Sequence, residues 1–432
     1  MGRGEVGFVR HSQPFLRDAL ERCLVDPLNW LLLPQCQWDG ELCDYAQVML
    51  ADHQRAHPEA TGWRLLDPAR DHPAILAWLE QRLLRLWQDK RARQAARIPS
   101  AKNQTPATRA EVWSGEDWVP VGAAAVRPRA GFVARAPDSA PLAEILARVL
   151  PQAERYLVKV TWHGYAPGTY TGPLALDLLL GALPSRAVVL EGHTSSRNLG
   201  CADIDWEADA ARHRTWVRHQ DVEFLRRTGL AEVIARHGAQ YLNVTEAWWD
   251  GACAPAEDVR AALGDVALRN PELAGFVPSA LMELRGIPLI SFARFKGPTR
   301  LGISNLFGLI PHPLRTEWHG PDITHFASVC CDLARLYGAF FPLFGFVEAF
   351  DSAVRWDRKG LYRSRWGNYD LVLTDGLFTL SEGLVGTDLL ASRLQGQDVL
   401  RSGFYDVVRE QLGWSPPEAE MALPSDLQAS LV

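Results

Sequence analysis

Short apolar runs that alternate with helical segments over residues 137–292 constrain the fold of this chain more than any other feature. The runs are four to six residues long, the usual length of a buried strand, and each ends in polar or glycine residues. Strands that alternate with helices build a largely parallel sheet with helices on both faces. We therefore predict an α/β core domain over residues 136–414, with a mostly parallel or mixed sheet flanked by helices.

The predicted elements of this core follow one another along the chain. Strands are predicted at residues 156–161, 187–191, 241–244 and 287–292. Helices are predicted at residues 142–150, 172–183, 222–237 and 324–336. Pro173 stands near the start of the second helix, where proline is tolerated, and Gly238 follows the third, where glycine commonly ends a helix. Ligands of such sheets bind at the carboxyl ends of the strands, so functional residues are expected there.

The regions on either side of the core differ from it in composition. Apolar residues at three- and four-residue spacing within residues 15–25 and 74–96 predict a helical N-terminal extension over residues 1–97. Residues 98–109 are polar and contain proline, so residues 98–135 are predicted as a linker followed by a short β-rich stretch. Residues 415–432 are predicted as a flexible tail.

Charge and cysteine usage exclude several classes of protein. The formal net charge is −6, so no overall basic field attracts nucleic acid, and any anion site must be local. The seven cysteines include no C-x-x-C pair, which argues against a disulfide framework, a zinc finger or an iron–sulfur site. We find no signal peptide and no apolar segment long enough to cross a bilayer. These features predict a cytoplasmic protein without a membrane or nucleic-acid partner.

Polar residues follow the first two predicted strands. Lys159 and His163 stand at the end of the first strand, and Glu191 ends the second. An abrupt switch from apolar to hydrogen-bonding residues is what a polar cleft at a sheet edge requires. Thr171 precedes Gly172 and a proline at a helix start, where its hydroxyl either caps the helix or binds a ligand anion. We predict that Lys159, His163, Thr171 and Glu191 bind substrate.

Residues 291–320 hold the densest group of basic side chains, and glycines and prolines interrupt the segment. A solvated basic surface would have the same composition. However, the charges share no helical face, and a loop-rich segment after a buried strand lets them converge on phosphate, sulfate or carboxylate. The predicted substrate-binding residues of this segment are Arg294, Arg300, Asn305 and Arg315. The predicted catalytic residues are Lys296, His312 and His319, because imidazoles can protonate a leaving group.

Motifs for other chemistry are weak or absent. His312 and His319, with Glu317 or Asp322, would make a His/carboxylate metal set, but their spacing matches no H-E-x-x-H pattern. The chain has neither a G-x-S-x-G nucleophile elbow nor a Walker A motif. We therefore predict no metal ligands and no cofactor.

Several pieces of the sequence agree in order with a known family. They are residues 290–296, the Asn-Leu-Phe-Gly segment at 305–308, Trp318-His319, Lys159, Thr171-Gly172-Pro173 and the stretch 388–396. Over residues 155–400 the chain thus resembles domain of unknown function family 362. Gly297-Pro298 replaces the family's Thr-His pair and Ser304 replaces its lysine. The ferredoxin-like cysteine cluster of many members is missing, so the resemblance implies no iron–sulfur chemistry here.

These observations predict a small-molecule enzyme of specialised metabolism, active in biosynthesis on an anionic substrate. Arginine and lysine would stabilise the charge that develops on a leaving group, so lyase or cyclase chemistry without a cofactor is expected, by elimination or by ring closure through intramolecular displacement. One alternative is a metal-dependent enzyme that uses His312 and His319. Another is a non-catalytic ligand-binding or partner protein. Its Trp-rich N-terminal region would contact a protein partner or a second copy of the chain.

Overall fold

The computed structural model describes residues 30–31, 64–65, 108–122, 131–164, 166–194, 197, 210–297, 301–364, 367–397, 402–413 and 423. The chain divides into two units, Met1–Arg97 and Ile98–Val432. In the first unit, the described residues are a parallel pair of short strands, β1 (Trp30–Leu31) and β2 (Arg64–Leu65). The predicted helices of residues 1–97, the linker residues 98–107 and the predicted site residue Arg300 lie outside the described residues. The predicted tail 415–432 does too, except for Leu423, which is buried.

Described strands of the second unit begin just after the linker. They are β3 (Glu111–Trp113), β4 (Trp118–Pro120), β5 (Phe132–Arg135), β6 (Arg155–Lys159), β7 (Arg186–Glu191), β8 (Gln240–Asn243), β9 (Leu289–Arg294), β10 (Leu343–Ala349), β11 (Ser352–Trp356), β12 (Tyr362–Ser364), β13 (Gly367–Leu373) and β14 (Leu377–Glu382). Among the described residues, nine of these strands form one sheet in the order β4-β3-β5-β14-β10-β9-β6-β7-β8, and β11-β13-β12 form a smaller antiparallel sheet.

The large sheet has two halves of different character. Strands β10, β9, β6, β7 and β8 are parallel, whereas β14, β5, β3 and β4 continue the sheet in antiparallel pairs. The predicted α/β class with a mixed sheet is therefore confirmed. The β-rich stretch before residue 136 supplies the antiparallel edge, so the predicted boundary at 136 falls within one sheet.

Helices flank the sheet. They are α1 (Ser139–Val149), α2 (Pro173–Ala182), α3 (Ala210–Thr228), α4 (Leu230–Arg236), α5 (Val244–Trp249), α6 (Ala256–Leu263), α7 (Ser279–Glu283), α8 (Leu301–Asn305), α9 (Arg315–His319), α10 (Ile323–Phe340), α11 (Val385–Leu394) and α12 (Gly403–Leu412), with 3-10 turns at Pro271–Phe276 and Leu306–Leu309. None of the described helices combines the length and apolar character needed to cross a membrane.

One predicted helix is wrong in its extent. Residues 222–237 belong to two helices, α3 and α4, that are separated at Gly229. Gly229 adopts a left-handed conformation with φ 78°, which glycine reaches without a steric penalty. Apolar spacing continues across this residue, so the periodicity alone does not reveal the break.

Alternation along the central strands places apolar side chains in two cores, one on each face of the sheet. Tyr156 and Val158 belong to the same core as Leu176 of α2, whereas Leu157 belongs to the other core, with Leu333 of α10. This is the period of two that a strand covered on both faces requires. The polar residues that follow the strands are thereby left at the sheet's carboxyl edge.

The order of the strands creates a crevice at that edge. From β6 the chain adds β7 and β8 on one side and then returns to place β9 on the other side. The chain segments that follow β6 and β9 therefore run in opposite directions along the sheet. Between the carboxyl ends of these two strands they create a gap, which is the usual ligand site of such sheets. The smaller sheet lies beside this gap, because the Val354 amide donates to the Phe295 carbonyl at 3.0 Å.

Candidate functional site

A cavity of about 950 Å³ opens at the carboxyl ends of β6, β7 and β9. The segment 301–320 and the edge of the smaller sheet form its other walls. The structure brings nine of the predicted site residues to this cavity, namely Lys159, His163, Glu191, Arg294, Lys296, Asn305, His312, Arg315 and His319. The ends of three strands and the segment 301–320 therefore meet at one place.

A buried charge cluster lies at the deep end of the cavity, and we call it the strand-end cluster: Lys159, Glu191 and Arg315. The Lys159 Nζ donates to Glu191 Oε2 at 3.0 Å, and an Arg315 guanidinium nitrogen lies 3.6 Å from Glu191 Oε1. Glu191 also accepts the backbone amides of Trp162 and Gly192, both at 2.9 Å. Buried ions are stable only when paired and hydrogen-bonded in this way, so the cluster is rigid.

Burial and mutual proximity change the ionisation of these groups. Burial lowers the pKa of Lys159 to about 8, although Glu191 opposes that effect. Burial also lowers the pKa of Arg315 to about 10. For Glu191, burial acts to raise the pKa, but Lys159, Arg315 and Arg197 together hold it below its ordinary value. At neutral pH the cluster therefore carries two positive charges and one negative charge.

Asn305 fills the gap between β6 and β9. Its amide donates to the Lys159 carbonyl at 2.7 Å and to the Ser291 hydroxyl at 3.2 Å. Its carbonyl oxygen accepts from the Thr161 hydroxyl at 3.0 Å and from Lys159 Nζ at 3.3 Å. Asn305 was predicted to bind substrate, and it lines the cavity. Its hydrogen bonds show that it also ties the two parting strands together.

Glycines at two positions permit the close approach of this cluster. A Cβ at Gly308 would lie 2.5 Å from both Glu191 Oε1 and Lys159 Nζ. A Cβ at Gly192 would lie 2.8 Å from the Arg315 guanidinium and 2.9 Å from the Gly308 carbonyl oxygen. Any side chain at either position would force the ion pairs apart, because such contacts are shorter than van der Waals distance.

Arg294 is held in place by other protein groups. Its guanidinium donates to Glu348 at 2.8 Å, Asp351 at 2.9 Å, Ser352 at 2.7 Å and the Gly168 carbonyl at 2.8 Å. Its side chain is only 2% exposed. Arg294 was predicted to bind substrate. In the structure it braces the loop before α2 against β10 and β11 and also contributes positive charge to the cavity wall, and its role in substrate binding stays a prediction.

Lys296 stands at the cavity wall just beyond β9. Its Nζ donates to the Thr169 carbonyl at 3.0 Å. Burial lowers the pKa of Lys296 to about 8, with Glu191 opposing this effect and the nearby Lys159 and Arg294 adding to it. The ammonium is therefore charged at neutral pH but close to titration, in a place where a ligand can reach it.

Among the described residues, three histidines line the cavity, and their environments differ. His312 is buried, and its backbone amide donates to the Thr245 hydroxyl at 3.1 Å. His319 is exposed at the end of α9, and its ring lies 4.6 Å from the ring of Phe326. His163 Nδ1 lies 3.3 Å from the Thr194 hydroxyl. Of these rings, that of His319 is the most accessible for proton exchange with a ligand.

Thr171 lies elsewhere and does not cap α2. It is fully buried, its hydroxyl accepts the Thr161 amide at 3.0 Å, and it is absent from the described cavity lining. The N-cap of α2 is Gly172, which has no side-chain hydrogen bond, so the predicted capping role is wrong. The hydroxyl turns instead toward the end of β6, where the Thr161 amide lacks a ladder partner.

Another polar cluster, which we call the inner cluster, lies behind the end of β7: His193, Arg197, Asp221 and Glu246. His193 Nε2 lies 3.0 Å from Glu246, and Arg197 pairs with Asp221 at 2.6 Å. Within the described residues, His193, Asp221 and Glu246 are the one set spaced for a metal ion, and His312 and His319 join no such set. A dication would have to compete with the Arg197 guanidinium for Asp221.

Sequence reasoning missed much of the cavity wall. The missed lining residues with aromatic, charged or hydrogen-bonding side chains are Thr161, Thr194, Phe307, Thr316, Phe326, Trp356, Asp357, Arg358 and Asn368. Thr161 and Thr194 follow predicted strands, and that position was a usable signal. Trp356 and Asn368 belong to strands of the smaller sheet, and Asp357 and Arg358 directly follow β11. No local pattern indicates that this sheet packs beside the strand ends.

The charge of the described lining is positive overall, although the whole chain is acidic. Its cations are Lys159, Arg294, Lys296, Arg315 and Arg358, and its carboxylates are Glu191 and Asp357. Cations that converge in a recess of low dielectric attract an anion far more strongly than the same charges on a surface. The fold and site therefore define an α/β protein with a cavity at the switch point of its sheet, whose described lining holds more cationic than anionic side chains.

Comparison with known proteins adds no relative. No family model, no curated protein and no solved structure matches this chain. The resemblance to domain of unknown function family 362 stays a prediction.

Proposed function

We propose that this protein is a small-molecule enzyme that binds the sulfate, phosphate or carboxylate group of an anionic substrate at the cationic cavity. The reaction we propose is an elimination or a ring closure by intramolecular displacement. The observation that carries this proposal is the convergence of Lys159, Lys296 and Arg315 on one cavity at the crevice between β6 and β9. Folds of this kind place their ligands at that crevice, and the charge of the lining selects an anion.

The cavity residues divide into fixed and accessible groups. Lys159 and Arg315 are held by Glu191 and by backbone carbonyls, so they supply a preorganised positive field. Lys296 lies at the cavity wall and would contact the anion directly. His319 is exposed at the opposite end of α9 from Arg315, and it would exchange a proton with the ligand. Preorganised charges of this kind stabilise negative charge as it develops.

Loss of an anionic leaving group is the chemistry that such a field favours. In a ring closure, an amine nitrogen of the substrate attacks the carbon that bears a sulfate or phosphate ester. The carbon–oxygen bond breaks, the electron pair leaves with the anion, and the proton of the new ring amine passes to His319. In an elimination, His319 instead removes a proton from the carbon next to the one that bears the ester. The same carbon–oxygen bond breaks, a carbon–carbon double bond forms, and the electron pair leaves with the anion. Lysine and arginine would stabilise the departing oxygen without a cofactor.

The resemblance to family 362 and the predicted cytoplasmic, biosynthetic setting remain part of this proposal. Among the described cysteines, Cys253 and Cys331 are free thiols, which supports a reducing compartment. Fractionation of the source cells would test the location directly.

Release of inorganic anion tests the function. The purified chain is incubated with a library of amine-bearing sulfate and phosphate monoesters. Ion chromatography measures free sulfate and phosphate, and mass spectrometry measures the matching loss from the organic product. We expect one or more esters to release anion, and Lys296→Met to abolish the release. Arg260→Ala, which removes an exposed cation from α6, should leave it unchanged.

If the substrate is not a member of the library, anion binding can still be measured on the same variants. Calorimetric titration with sulfate should give a binding isotherm that Lys296→Met weakens and Arg260→Ala preserves. Sulfate binding without turnover of any library member would favour a ligand-binding protein. If sulfate, phosphate and acetate all fail to bind the folded chain, the proposal is wrong.

A further inference from the structure

We infer that the ligand carries an aromatic ring beside its anionic group, and that Phe307, Phe326 and His319 bind this ring. The inference names the substrate class of the cavity and rests on the proposed anion-binding function. We call these three residues the aromatic end of the cavity. All three line the cavity.

The rings of the aromatic end are in mutual contact. The Phe307 and Phe326 rings lie 4.9 Å apart, and the His319 ring lies 4.6 Å from Phe326 and 5.9 Å from Phe307. The His319 ring is nearly perpendicular to that of Phe307, at 88°. Tilted and edge-on arrangements at these separations are the preferred packing of aromatic rings, and a further ring can extend them.

These rings present surface to the cavity instead of closing over it. Phe307 is 7% exposed, Phe326 is half-buried, and His319 is exposed. Phe326 is anchored from behind by Phe404, whose ring centre lies 6.0 Å away. An aromatic wall that is fixed on one side and open on the other loses exposed apolar surface when a ligand ring covers it.

The helix α9 sets the distance between the two parts of the ligand. Arg315 and His319 are its first and last residues, four positions apart, so they lie on the same face about one turn from each other. At 1.5 Å per residue, the Cα atoms of Arg315 and His319 are separated by ~6 Å along the helix axis. An anionic group held at Arg315 would therefore place a ring attached through a short spacer against His319.

The 3-10 turn Leu306–Leu309 also connects the strand-end cluster with the aromatic end of the cavity. A Cβ at Gly308 would contact Lys159 and Glu191, whereas its neighbour Phe307 contacts the ring of His319. Consecutive residues of one short turn thus face the charged end and the aromatic end. Trp356 adds a further aromatic side chain to the lining, and its indole N–H donates to the Gly297 carbonyl.

Calorimetric titration with three carboxylates of equal charge tests the inference. The probes are propionate, 3-phenylpropionate and 3-cyclohexylpropionate. All three share the carboxylate and the spacer, and they differ in the group at the far end. We expect 3-phenylpropionate to bind ~10-fold or more tightly than propionate, because burying a ring against apolar walls contributes that much. We expect 3-cyclohexylpropionate to bind less tightly than 3-phenylpropionate, because it cannot extend the ring packing.

Variants assign the effect to residues. Phe326→Leu should reduce the advantage of 3-phenylpropionate over propionate to ~3-fold or less while leaving propionate affinity unchanged. Phe276→Leu is the matched control, because Phe276 is a half-buried phenylalanine that contacts Trp318 of α9 without lining the cavity. It should retain the full advantage. Lys296→Met should weaken all three probes by a similar factor. Thermal unfolding confirms that each variant is folded.

The outcomes separate this inference from the proposed function. Equal affinities for propionate and 3-phenylpropionate would overturn the aromatic assignment and leave the anion site standing. Equal affinities for 3-phenylpropionate and 3-cyclohexylpropionate would mean that the site binds any apolar group of this size. That outcome would also contradict the inference. If no probe and no inorganic anion binds the folded wild type, the proposed function itself fails.

Discussion

The strand-end cluster and the inner cluster contain similar groups, and only one of them lines the cavity. Lys159, Glu191 and Arg315 face the open volume, whereas His193, Arg197, Asp221 and Glu246 are absent from its described lining. The two lie close together, because the Arg197 guanidinium donates to the carbonyl of Gly192, which follows Glu191. Both pair a guanidinium with a carboxylate.

The difference lies in what completes each cluster. Asp221 accepts the Tyr241 hydroxyl at 2.9 Å and pairs with Arg197, and the His193 ring stacks on Trp249 at 5.1 Å. Protein groups therefore close the inner cluster. The strand-end cluster has two cations for one carboxylate and an adjacent cavity, so an added anion would balance its charge. An excess of one charge beside open volume is therefore stronger support for a proposed binding site than residue types alone.

Removal of Glu191 should have the largest effect on the strand-end cluster. Glu191→Ala leaves Lys159 and Arg315 buried together without their shared carboxylate. We expect the free energy of unfolding to fall by ~3–5 kcal/mol, as it does when one partner of a buried ion pair is lost. Urea denaturation measures the loss.

A surface pair provides the control for this change. Glu223→Ala removes the carboxylate that pairs with Arg226 and Arg227 on α3. The expected loss is ~0–1 kcal/mol, the usual contribution of a surface ion pair. Equal losses for the two variants would mean that the strand-end cluster is not buried as described.

Replacement of His193 should separate stability from anion binding. His193→Gln removes a fully buried ring that contacts Glu246 and Trp249. We expect the free energy of unfolding to fall by ~1–3 kcal/mol because buried groups lose their partners. Sulfate affinity, measured by calorimetry, should change by less than about twofold, since the inner cluster does not line the cavity. A loss of sulfate binding in a folded variant would show that the two clusters act as one site.

The pH dependence of anion binding should show the smallest effect. Burial lowers the pKa values of Lys159 and Lys296 to about 8, and an anion binds the protonated forms. Sulfate affinity should therefore be greatest below pH 8 and fall ~10-fold as both lysines lose their protons above it. Calorimetry in buffers from about pH 6.5 to about pH 9.5 measures this fall.

The variant Lys296→Arg separates the contributions of the two lysines to the pH dependence. Lys296→Arg keeps its charge across the range, so the remaining decline should be shallower and belong to Lys159. A decline as steep as in the wild type would remove Lys296 from the anion site. Lys359→Arg, at an exposed position, should leave the pH dependence of sulfate affinity as in the wild type.

The sequence predicted the parallel half of the fold better than the antiparallel half. The predicted strands at 156–161, 187–191, 241–244 and 287–292 correspond to β6, β7, β8 and β9, because continuous apolar runs bounded by polar residues have few other solutions. The small sheet Ser352–Leu373 was not predicted, although it forms a wall of the cavity. Its strands mix polar and apolar residues over short lengths without regular alternation, so pairing with other segments decides their place.

By itself, the sequence determined the strands β6 to β9, the helices α1, α2 and α10, and the polar residues that follow β6 and β7, since these depend on local periodicity and turn residues. It also pointed to residues 291–320 as a wall of the site. Only the tertiary structure decided that Arg294 would serve as a brace, that Thr171 would turn away from the cavity, and that His319 would join an aromatic wall. Strand order and close packing make those choices, because they bring together groups that are more than a hundred residues apart, such as Lys159 and Asn305.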